Sequence, residues 1–253
     1  MKILLSPTKK QIINTNFKGT STPLFNNKAQ ELMNELLNLG RDGIKDLLGI
    51  SDKLANENWL RIKEWGDTKC SSSAAMFTFV GEVFSQLDPF SFKNNDIEYA
   101  NSVLRIFSGL YGILKPMDII QPYRLDIKDS LELPKYSSLY NYWKNDLTNY
   151  LIDEIERDDV KLIIDLSSKE YSKSIDFNKI PCDLVTPDFK TEADGKLKTI
   201  GMWSKRMRGI LAREIILNRV EDMDRLKEIK LPGYRLEDSA NGKYLYIKRM
   251  DKQ

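Results

Sequence analysis

Two short apolar segments constrain the fold of this chain more than any other feature of its sequence. Isoleucine, leucine and valine dominate both Lys2–Ser6, which stops at Pro7, and Val160–Leu166. Such runs are typical of strands buried on both faces of a sheet, and proline cannot donate to a strand ladder. We therefore predict an α/β or mixed α+β fold in which a mixed sheet is flanked by helices.

Longer segments carry apolar residues at helical spacing. We predict helices over Asn27–Leu39, where Gly40 provides a stop, over Leu139–Ile155, and over Ser204–Arg219. Another helix follows Ser51, which is suited to cap its first turn.

Other segments are less regular. We predict a strand over Met76–Val80, a helix over Asp96–Phe107, and loop over the glycine- and proline-rich region 108–138. Two hairpins are expected where Ala193–Gly195 and Asn241–Gly242 separate strand patterns. Helices and strands thus mix without a regular alternation.

The length and composition indicate one domain with a substantial core. The chain has 253 residues, of which 41% are hydrophobic, and no repeat or linker divides it, so residues 1–253 are treated as a single domain. No apolar run approaches the roughly 20 residues that cross a bilayer. The three apolar residues before Pro7 are too few for a secretory signal. We expect a cytoplasmic protein with no membrane partner.

The chain contains no histidine, which limits its chemistry. Histidine-dependent triads are excluded, as are the usual imidazole ligands of zinc, copper and haem. Cys70 and Cys182 are far apart and indicate neither a disulfide framework nor a thiolate metal site. We expect no metal site and no cofactor; an enzyme built on this chain would use carboxylates, lysine or tyrosine.

One segment is strongly basic. Between Trp203 and Arg213 the chain reads W-S-K-R-M-R-G-I-L-A-R, with no acid, whereas the whole chain carries a net charge of only +2. Its cations are Lys205, Arg206, Arg208 and Arg213. In a helix, Arg206 and Arg213 lie seven residues apart on one face, and such a ridge attracts phosphate. A solvated helix face is the alternative interpretation.

The segment Leu104–Asp118 contains a glycine turn flanked by cations. If a helix leads into it, the turn exposes backbone N–H groups to a phosphate, as in a helix-hairpin-helix element. The candidate contacts are Arg105, Ser108, Gly109, Gly112 and Lys115. The spacing of the glycines differs from the usual hairpin and Pro116 limits a second helix, so a glycine-capped helix followed by an ordinary loop is the alternative.

Two further segments carry cations beside turns. In Gln121–Asp126, Tyr123 can stack on a base, and Arg124 can pair either with a phosphate or with a nearby aspartate. Tyr111, in the preceding segment, can also stack on a base. In S-P-T-K-K, Lys9 and Lys10 follow the first strand and would lie at the carboxyl edge of the sheet, where α/β folds bind ligands.

The serine-rich segment Ser167–Ser174 follows the second apolar run. Lys169, Glu170 and Tyr171 offer acid or base groups there, and a strand-to-helix turn can present N–H groups to an anion. The segment lacks the spacing of a phosphate-binding P-loop. A capped helix start explains it equally.

Eight motifs resemble, in the same order, those of the YaaA family of bacterial peroxide-stress proteins. They are S-P-T-K-K (6–10), I-S-D-K-L-A (50–55), F-V-G-E-V-F (79–84), L-R-I-F-S-G-L-Y-G-I-L-K-P-M-D (104–118), Q-P-Y-R-L-D (121–126), L-Y-N-Y-W (139–143), S-S-K-E-Y (167–171) and S-K-R-M-R-G-I-L-A-R (204–213). The resemblance implies a cytosolic protein, induced by hydrogen peroxide, that limits iron-linked damage. It also implies DNA binding through a helix-hairpin-helix element and a positively charged cleft, in a compact fold particular to the family.

Carried over by position, the resemblance places the hairpin at Ser108–Lys115. It places the cleft at Lys9, Lys10, Arg124, Lys205, Arg206, Arg208 and Arg213. The chain departs from the family pattern at Asp165, where asparagine is usual, and at Lys169, where an acid or amide is expected. These departures weaken the case for a catalytic role of that segment.

Two hypotheses follow. The first is a non-enzymatic protein of the peroxide response that binds duplex or structured DNA without sequence preference. The second is an enzyme acting on a nucleotide, a damaged base or another phosphorylated small molecule, with Lys205, Glu170 or Tyr171 as catalytic candidates.

Overall fold

The strand predicted at the amino terminus lies in the middle of the sheet in the computed structural model, which describes residues 1–67, 69–193, 195–238 and 243–249. The described strands are β1 (Lys2–Leu5), β2 (Ser73–Ala74), β3 (Leu104–Ser108), β4 (Gly112–Leu114), β5 (Ile119–Ile120), β6 (Leu162–Leu166), β7 (Asp183–Ala193), β8 (Lys196–Lys198), β9 (Arg235–Asp238) and β10 (Lys243–Arg249). The described helices are α1 (Asn26–Leu48), α2 (Asp52–Glu64), α3 (Ala75–Thr78), α4 (Glu82–Leu87), α5 (Asn94–Val103), α6 (Leu139–Arg157), α7 (Lys169–Ser172), α8 (Gly201–Leu217) and α9 (Met223–Glu228).

The main sheet is mostly parallel, which confirms the predicted mixed α/β fold. Its order is β4, β3, β1, β6, β7, β10 and β9, with β8 paired to β7. Strand β1 runs parallel to both neighbours, so that Leu5 pairs with Ile106 on one side and Leu166 on the other. The pairs at the two ends of this order, β3 with β4 and β10 with β9, are antiparallel, as is the pair of β7 with β8. Over the described ranges, every helix is too short or too polar to traverse a lipid bilayer.

Strand β1 marks the point at which the chain changes direction across the sheet. After β1 the chain builds β3 on one side, and it later returns to build β6 on the other side. The carboxyl ends of parallel strands meet at one edge, and a crevice forms there where the strand order reverses. We call this the carboxyl edge; it is where β1, β3 and β6 end.

Two predicted elements are wrong, because a short apolar run does not by itself show whether its residues form a helix or a strand. The predicted strand over Met76–Val80 is largely helix α3, in which Phe77 stacks on Phe17 with ring centroids 4.1 Å apart. The helix predicted to Phe107 ends at Val103, and the next five residues form β3, all of them buried.

The predicted helix-hairpin-helix segment is a β-hairpin, since β3 pairs antiparallel with β4. Its glycines serve packing: a Cβ on Gly109 would lie 2.1 Å from the carbonyl oxygen of Leu125, and one on Gly112 would lie 2.7 Å from the ring of Trp143. Gly112 also has a φ of 71°, which favours glycine. The predicted reversal exists, but a strand and not a helix leads into it.

Two other predicted boundaries are shifted, whereas the two predicted hairpins are supported. The predicted stop at Gly40 is a break inside α1 with φ 66°, after which the helix resumes. Both predicted hairpins have antiparallel flanking strands, although Asp194 and Asn241–Gly242 lie outside the described residues. The strand predicted to reach Met202 ends at Lys198, because helix α8 already begins at Gly201.

A buried ion network ties β1 and β3 to α6. Arg105 is 2% exposed and its Nε donates to Glu154 Oε2 at 2.9 Å and to Tyr150 Oη at 2.9 Å. Lys2 Nζ lies 3.5 Å from Glu154 Oε1 and donates to Asp158 Oδ2 at 2.8 Å. Burial alone would raise the pKa of Glu154, but the hydrogen bonds and charge of Arg105, with the charge of Lys2, hold that pKa below its usual value.

Removing Glu154 should therefore be costly. We expect Glu154→Ala to lower the free energy of unfolding by about 3–5 kcal/mol, because it leaves Arg105 and Lys2 buried without their carboxylate. Glu156→Ala, an exposed glutamate of the same helix, should change it by less than about 0.5 kcal/mol. Urea unfolding measures both, and equal losses would show that the network contributes nothing beyond helix propensity.

Candidate nucleic-acid interface

Segment 6–11 follows β1 and forms hydrogen bonds with three other parts of the chain near the carboxyl edge. The Ser168 N–H donates to Ser6 Oγ at 2.8 Å, linking the segment to the end of β6. The Val80 N–H donates to the Lys10 carbonyl at 3.1 Å, and the Tyr123 N–H donates to Gln11 Oε1 at 2.9 Å. Segments far apart in sequence thus meet at segment 6–11.

The basic helix α8 joins the same region through α4. Gly209 lies so close to α4 that a Cβ there would be 2.1 Å from the Val83 carbonyl oxygen. At the start of α4, Glu82 Oε2 lies 3.7 Å from Arg206 Nε. A Cβ on Gly81, just before α4, would lie 3.4 Å from Thr8 Cγ2, so that α8 and segment 6–11 flank one short stretch of chain.

Three of the predicted cations lie in these meeting segments without an ion pair. Lys10 and Lys205 are exposed and Arg124 is half-buried. Within the described ranges, none of the three has a carboxylate oxygen within 4.0 Å. Arg124 lines a small recess together with Thr8 and Lys9. Three cations without an ion pair are therefore carried by segment 6–11, by Gln121–Asp126, which contacts it, and by α8, which packs on the neighbouring α4.

Other predicted cations are already paired. Lys9 Nζ lies 2.9 Å from Asp126 Oδ2, and Arg206 has Glu82. Arg213 Nη1 lies 3.5 Å from Asp88 Oδ2 and donates to the Leu87 and Asp88 carbonyls at 3.0 Å each. These pairs weaken the predicted ridge, since an anion would have to compete with a carboxylate for each cation.

A further group of predicted contacts is buried and serves the fold. Its members are Arg105, Ser108, Gly109, Gly112 and Tyr123. Ser108 and Tyr123 share a 2.7 Å hydrogen bond, and burial raises the pKa of Tyr123 far above its usual value. Tyr111 is also buried, with its hydroxyl accepting from Trp65 Nε1 at 3.1 Å. Stacking of Tyr111 or Tyr123 on a base is therefore excluded in this conformation. Lys115 is half-buried, and its backbone N–H donates to Asp118 Oδ2 at 2.8 Å.

The three catalytic candidates do not form one constellation. Tyr171 is buried and donates to Asp126 Oδ1 at 3.2 Å, and burial raises its pKa well above the usual value. Glu170 lies 3.5 Å from Lys128 Nζ, and Lys205 is exposed on α8. Among the residues that the structure describes, no hydrogen bond or ion pair joins any two of the three.

Sequence reasoning did not group a set of buried and half-buried polar side chains at this edge. The carboxyl-edge cluster, as we call it, consists of Ser6, Asp165, Ser167, Ser168 and Arg208. Asp165 is 4% exposed and accepts the Ser167 N–H at 2.9 Å. Burial raises the pKa of Asp165, while the nearby charge of Arg208 opposes that rise. An acid inside the apolar run 160–166 was the signal, because a charge in a buried strand requires a compensating contact.

Arg208 is the unusual member of this cluster. Its Nε is buried and has no hydrogen-bond partner in the described ranges. Burial lowers the pKa of Arg208, and the charges of Asp165 and Asp188 act against that shift. Its guanidinium stays charged, as arginine does throughout proteins, yet no carboxylate of the described residues lies within 4.0 Å of it.

The chain is similar to proteins of one family over almost its whole length. A family model described as "Peroxide stress protein YaaA" matches residues 1–240. The chain belongs to that family. A UPF0246 protein of Aliivibrio fischeri (strain MJ11) is 37% identical over 254 residues, covering 98% of each chain. Similar UPF0246 proteins occur in Clostridium beijerinckii, 38% identical over 95% of this chain and 94% of the relative, and in Marinomonas sp. (strain MWYL1), 35% identical over 96% and 94%. Membership confirms the resemblance and supports a role in peroxide stress.

The pH dependence of stability tests the environment of Asp165. Its pKa is raised on folding, so the folded state is favoured by protonation and loses stability as the pH rises above about 4, the usual pKa of aspartate. Asp165→Asn keeps the Oδ1 acceptor without the charge. We expect this variant to be more stable than the parent at pH 7, by about 1.4 kcal/mol for each pKa unit of the shift, with the difference shrinking toward pH 4.

Urea unfolding at pH 4 to 7 measures that difference, and Asp183→Asn, at an exposed position, provides the control. A destabilised Asp165→Asn variant at pH 7 would contradict the assignment of Asp165 as a buried carboxyl held at a cost.

A peroxide-stress protein also invites the question whether its cysteines react with peroxide. Cys70 and Cys182 are half-buried, and burial, with neighbouring acids, raises the pKa of both thiols. Because the thiolate is the reactive form, we expect both to react with hydrogen peroxide at pH 7 no faster than free cysteine. Mass spectrometry after sulfenic-acid trapping measures the rate, and faster oxidation of either residue would identify a sensor.

Proposed function

We propose that this protein acts in the peroxide response by binding DNA at the carboxyl edge, without reading its sequence, and thereby limits iron-linked damage. The observation that supports the proposal is that Lys10, Arg124 and Lys205 lie on segments that contact segment 6–11 or flank it through α4, and that none of the three has an ion pair among the described residues. Cations placed beside phosphates supply affinity that is independent of the base sequence.

The contacts around these cations favour backbone contact over base recognition. Lys10 and Lys205 are long, exposed and able to follow a strand, and Arg124 adds a planar donor group. The two tyrosines that the sequence suggested for stacking on a base, Tyr111 and Tyr123, are buried in the core. Cations that already pair with a carboxylate, as Arg206 does with Glu82, add to the local positive potential. To bind a phosphate, however, they must first give up that carboxylate.

The salt dependence of binding gives the sharpest test. If Lys10, Arg124 and Lys205 neutralise three phosphates, log K for a duplex should fall against log salt with a slope of about −2.7. Replacing any one of these cations by alanine should make the slope less negative by about 0.9. Fluorescence anisotropy with several duplexes of unrelated sequence measures it, and all should weaken alike.

A matched control is the triple variant Arg61→Ala, Lys161→Ala and Lys179→Ala, which removes three positive charges from exposed positions. Lys161 and Lys179 precede β6 and β7, near the amino ends of these strands. The slope should stay unchanged in this control. Equal effects of this control and of the variant Lys10→Ala, Arg124→Ala and Lys205→Ala would show that only the net charge matters. A parent slope near zero would exclude electrostatic DNA binding.

A second candidate function is an enzyme that acts on a nucleotide, a damaged base or another phosphorylated small molecule. The half-buried Arg208, whose charge acts on Asp165, favours it, because it has no ion pair among the described residues and is less exposed than Lys10 and Lys205. A small-molecule enzyme should bind its ligand in the absence of DNA and with little dependence on Lys10 or Arg124.

A further inference from the structure

Residues 195–202, which include β8 and lead into the first turn of α8, are all exposed. We call this segment the exposed arm. Three large apolar side chains lie in it: Leu197, Ile200 and Met202 are 47%, 38% and 51% exposed. A single exposed apolar residue is ordinary in a folded protein, but three within six residues exceed scattered exposure and mark a contact surface.

The exposed arm is basic as well as apolar. Lys196 and Lys198 lie in it, and the sequence has no acid from residue 195 to residue 213. Glu192, in the part of β7 that pairs with β8, has its Oε2 atom 3.1 Å from Arg249 Nε. Its charge is therefore compensated, and an anionic partner would meet lysines beside the apolar side chains.

The exposed arm is continuous with the proposed DNA surface. Met202 and Lys205 are both exposed, and their spacing of three residues on α8 places them on the same face of the helix. Trp203 and Arg206 have the same spacing, and the Arg206 guanidinium lies 5.3 Å from the centroid of the Trp203 ring. A DNA strand whose phosphate contacts Lys205 therefore passes beside Met202.

Both ends of the exposed arm are fixed to the rest of the molecule. Its beginning pairs with β7 through the backbone. Further along, Lys190 Nζ donates to Thr199 Oγ1 at 2.7 Å. Directly after the arm, the Trp203 ring has Lys248 Nζ 4.3 Å from its centroid. A side chain that enters a base stack needs such support, because separating stacked base pairs costs free energy.

We propose that the exposed arm enters the minor groove of duplex DNA, where Leu197 and Met202 wedge between base pairs and bend the duplex. Minor-groove proteins combine basic residues with apolar wedges of this kind, and the resulting kinks are roughly 20–90°. The inference rests on the proposed function, because the duplex is the one that contacts Lys205. A wedge responds to the deformability of DNA, so no base edge has to be recognised.

A lipid surface is the other large anionic partner that accepts lysines together with apolar side chains. Binding of a protein to lipid scales with the apolar area that becomes buried. Three partly exposed side chains offer little such area, whereas a wedge needs only one side chain for each base step. The continuity of the exposed arm with Lys205 favours DNA, and anionic vesicles enter the test as the alternative.

Energy transfer between dyes at the two ends of a short duplex measures the bend. The parent should bring the ends together and raise the transfer efficiency. The double variant Leu197→Ser and Met202→Ser should lose the bend, yet keep the salt slope, because every charge remains, and bind within about threefold of the parent. The control Leu60→Ser and Met223→Ser exchanges the same residue types at exposed positions on α2 and α9 and should bend the duplex as the parent does.

Fluorescence anisotropy of the same duplex separates the wedge from the proposed function, and retained binding shows that the double variant is folded. If the parent binds without bending the duplex, or if the bend persists in the double variant, the wedge is wrong and the proposed function stands. A parent that does not bind the duplex overturns both. Sedimentation with phosphatidylglycerol vesicles covers the alternative: vesicle binding that the double variant loses, while the bend persists, identifies lipid as the partner and overturns the wedge.

Discussion

The placement of β1 between β3 and β6 is the constraint on which the rest of the structure depends. Its four residues are buried, and its Leu5 pairs with both neighbouring strands, so that segment 6–11 must emerge at the switch in strand order. That segment then holds the end of β6 through Ser6 and the chain before Arg124 through Gln11. Residues more than 100 positions apart are brought together because one short strand occupies the centre of the sheet.

Arg105, which is buried, and Arg208, which is half-buried, differ in how their charge is compensated. Arg105 is surrounded by Glu154, Tyr150 and backbone carbonyls, so its charge is satisfied and fixes α6 against the sheet. Arg208 has Asp165 in its vicinity but no hydrogen-bond partner in the described ranges. The first arrangement specifies the fold, whereas the second leaves a cation without a partner among the described residues. The lack of a partner, more than charge alone, separates a candidate binding residue from a structural arginine.

Much of the architecture could be predicted from the sequence, because periodicity and apolar runs report directly on burial. Strands β1 and β6 and helices α6 and α8 lie close to their predicted bounds. The segment from Leu104 to Phe107 was mistaken for helix because a strand buried on both faces shows no alternation. The site was less accessible: Arg105 and Arg208 both look like surface cations in the sequence, and only their three-dimensional neighbours reveal the ion pair of one and the missing partner of the other.

Hydrogen exchange of the full chain with and without a duplex DNA tests the central claim most directly, because it locates the contact without altering a residue. The account predicts slower exchange of backbone amides in three separate stretches, 6–11, 121–126 and 203–209, with no change at 157–161 on the opposite edge of the sheet. Protection confined to the opposite edge, or to only one of the three stretches, would contradict the claim that the carboxyl edge forms one continuous binding surface.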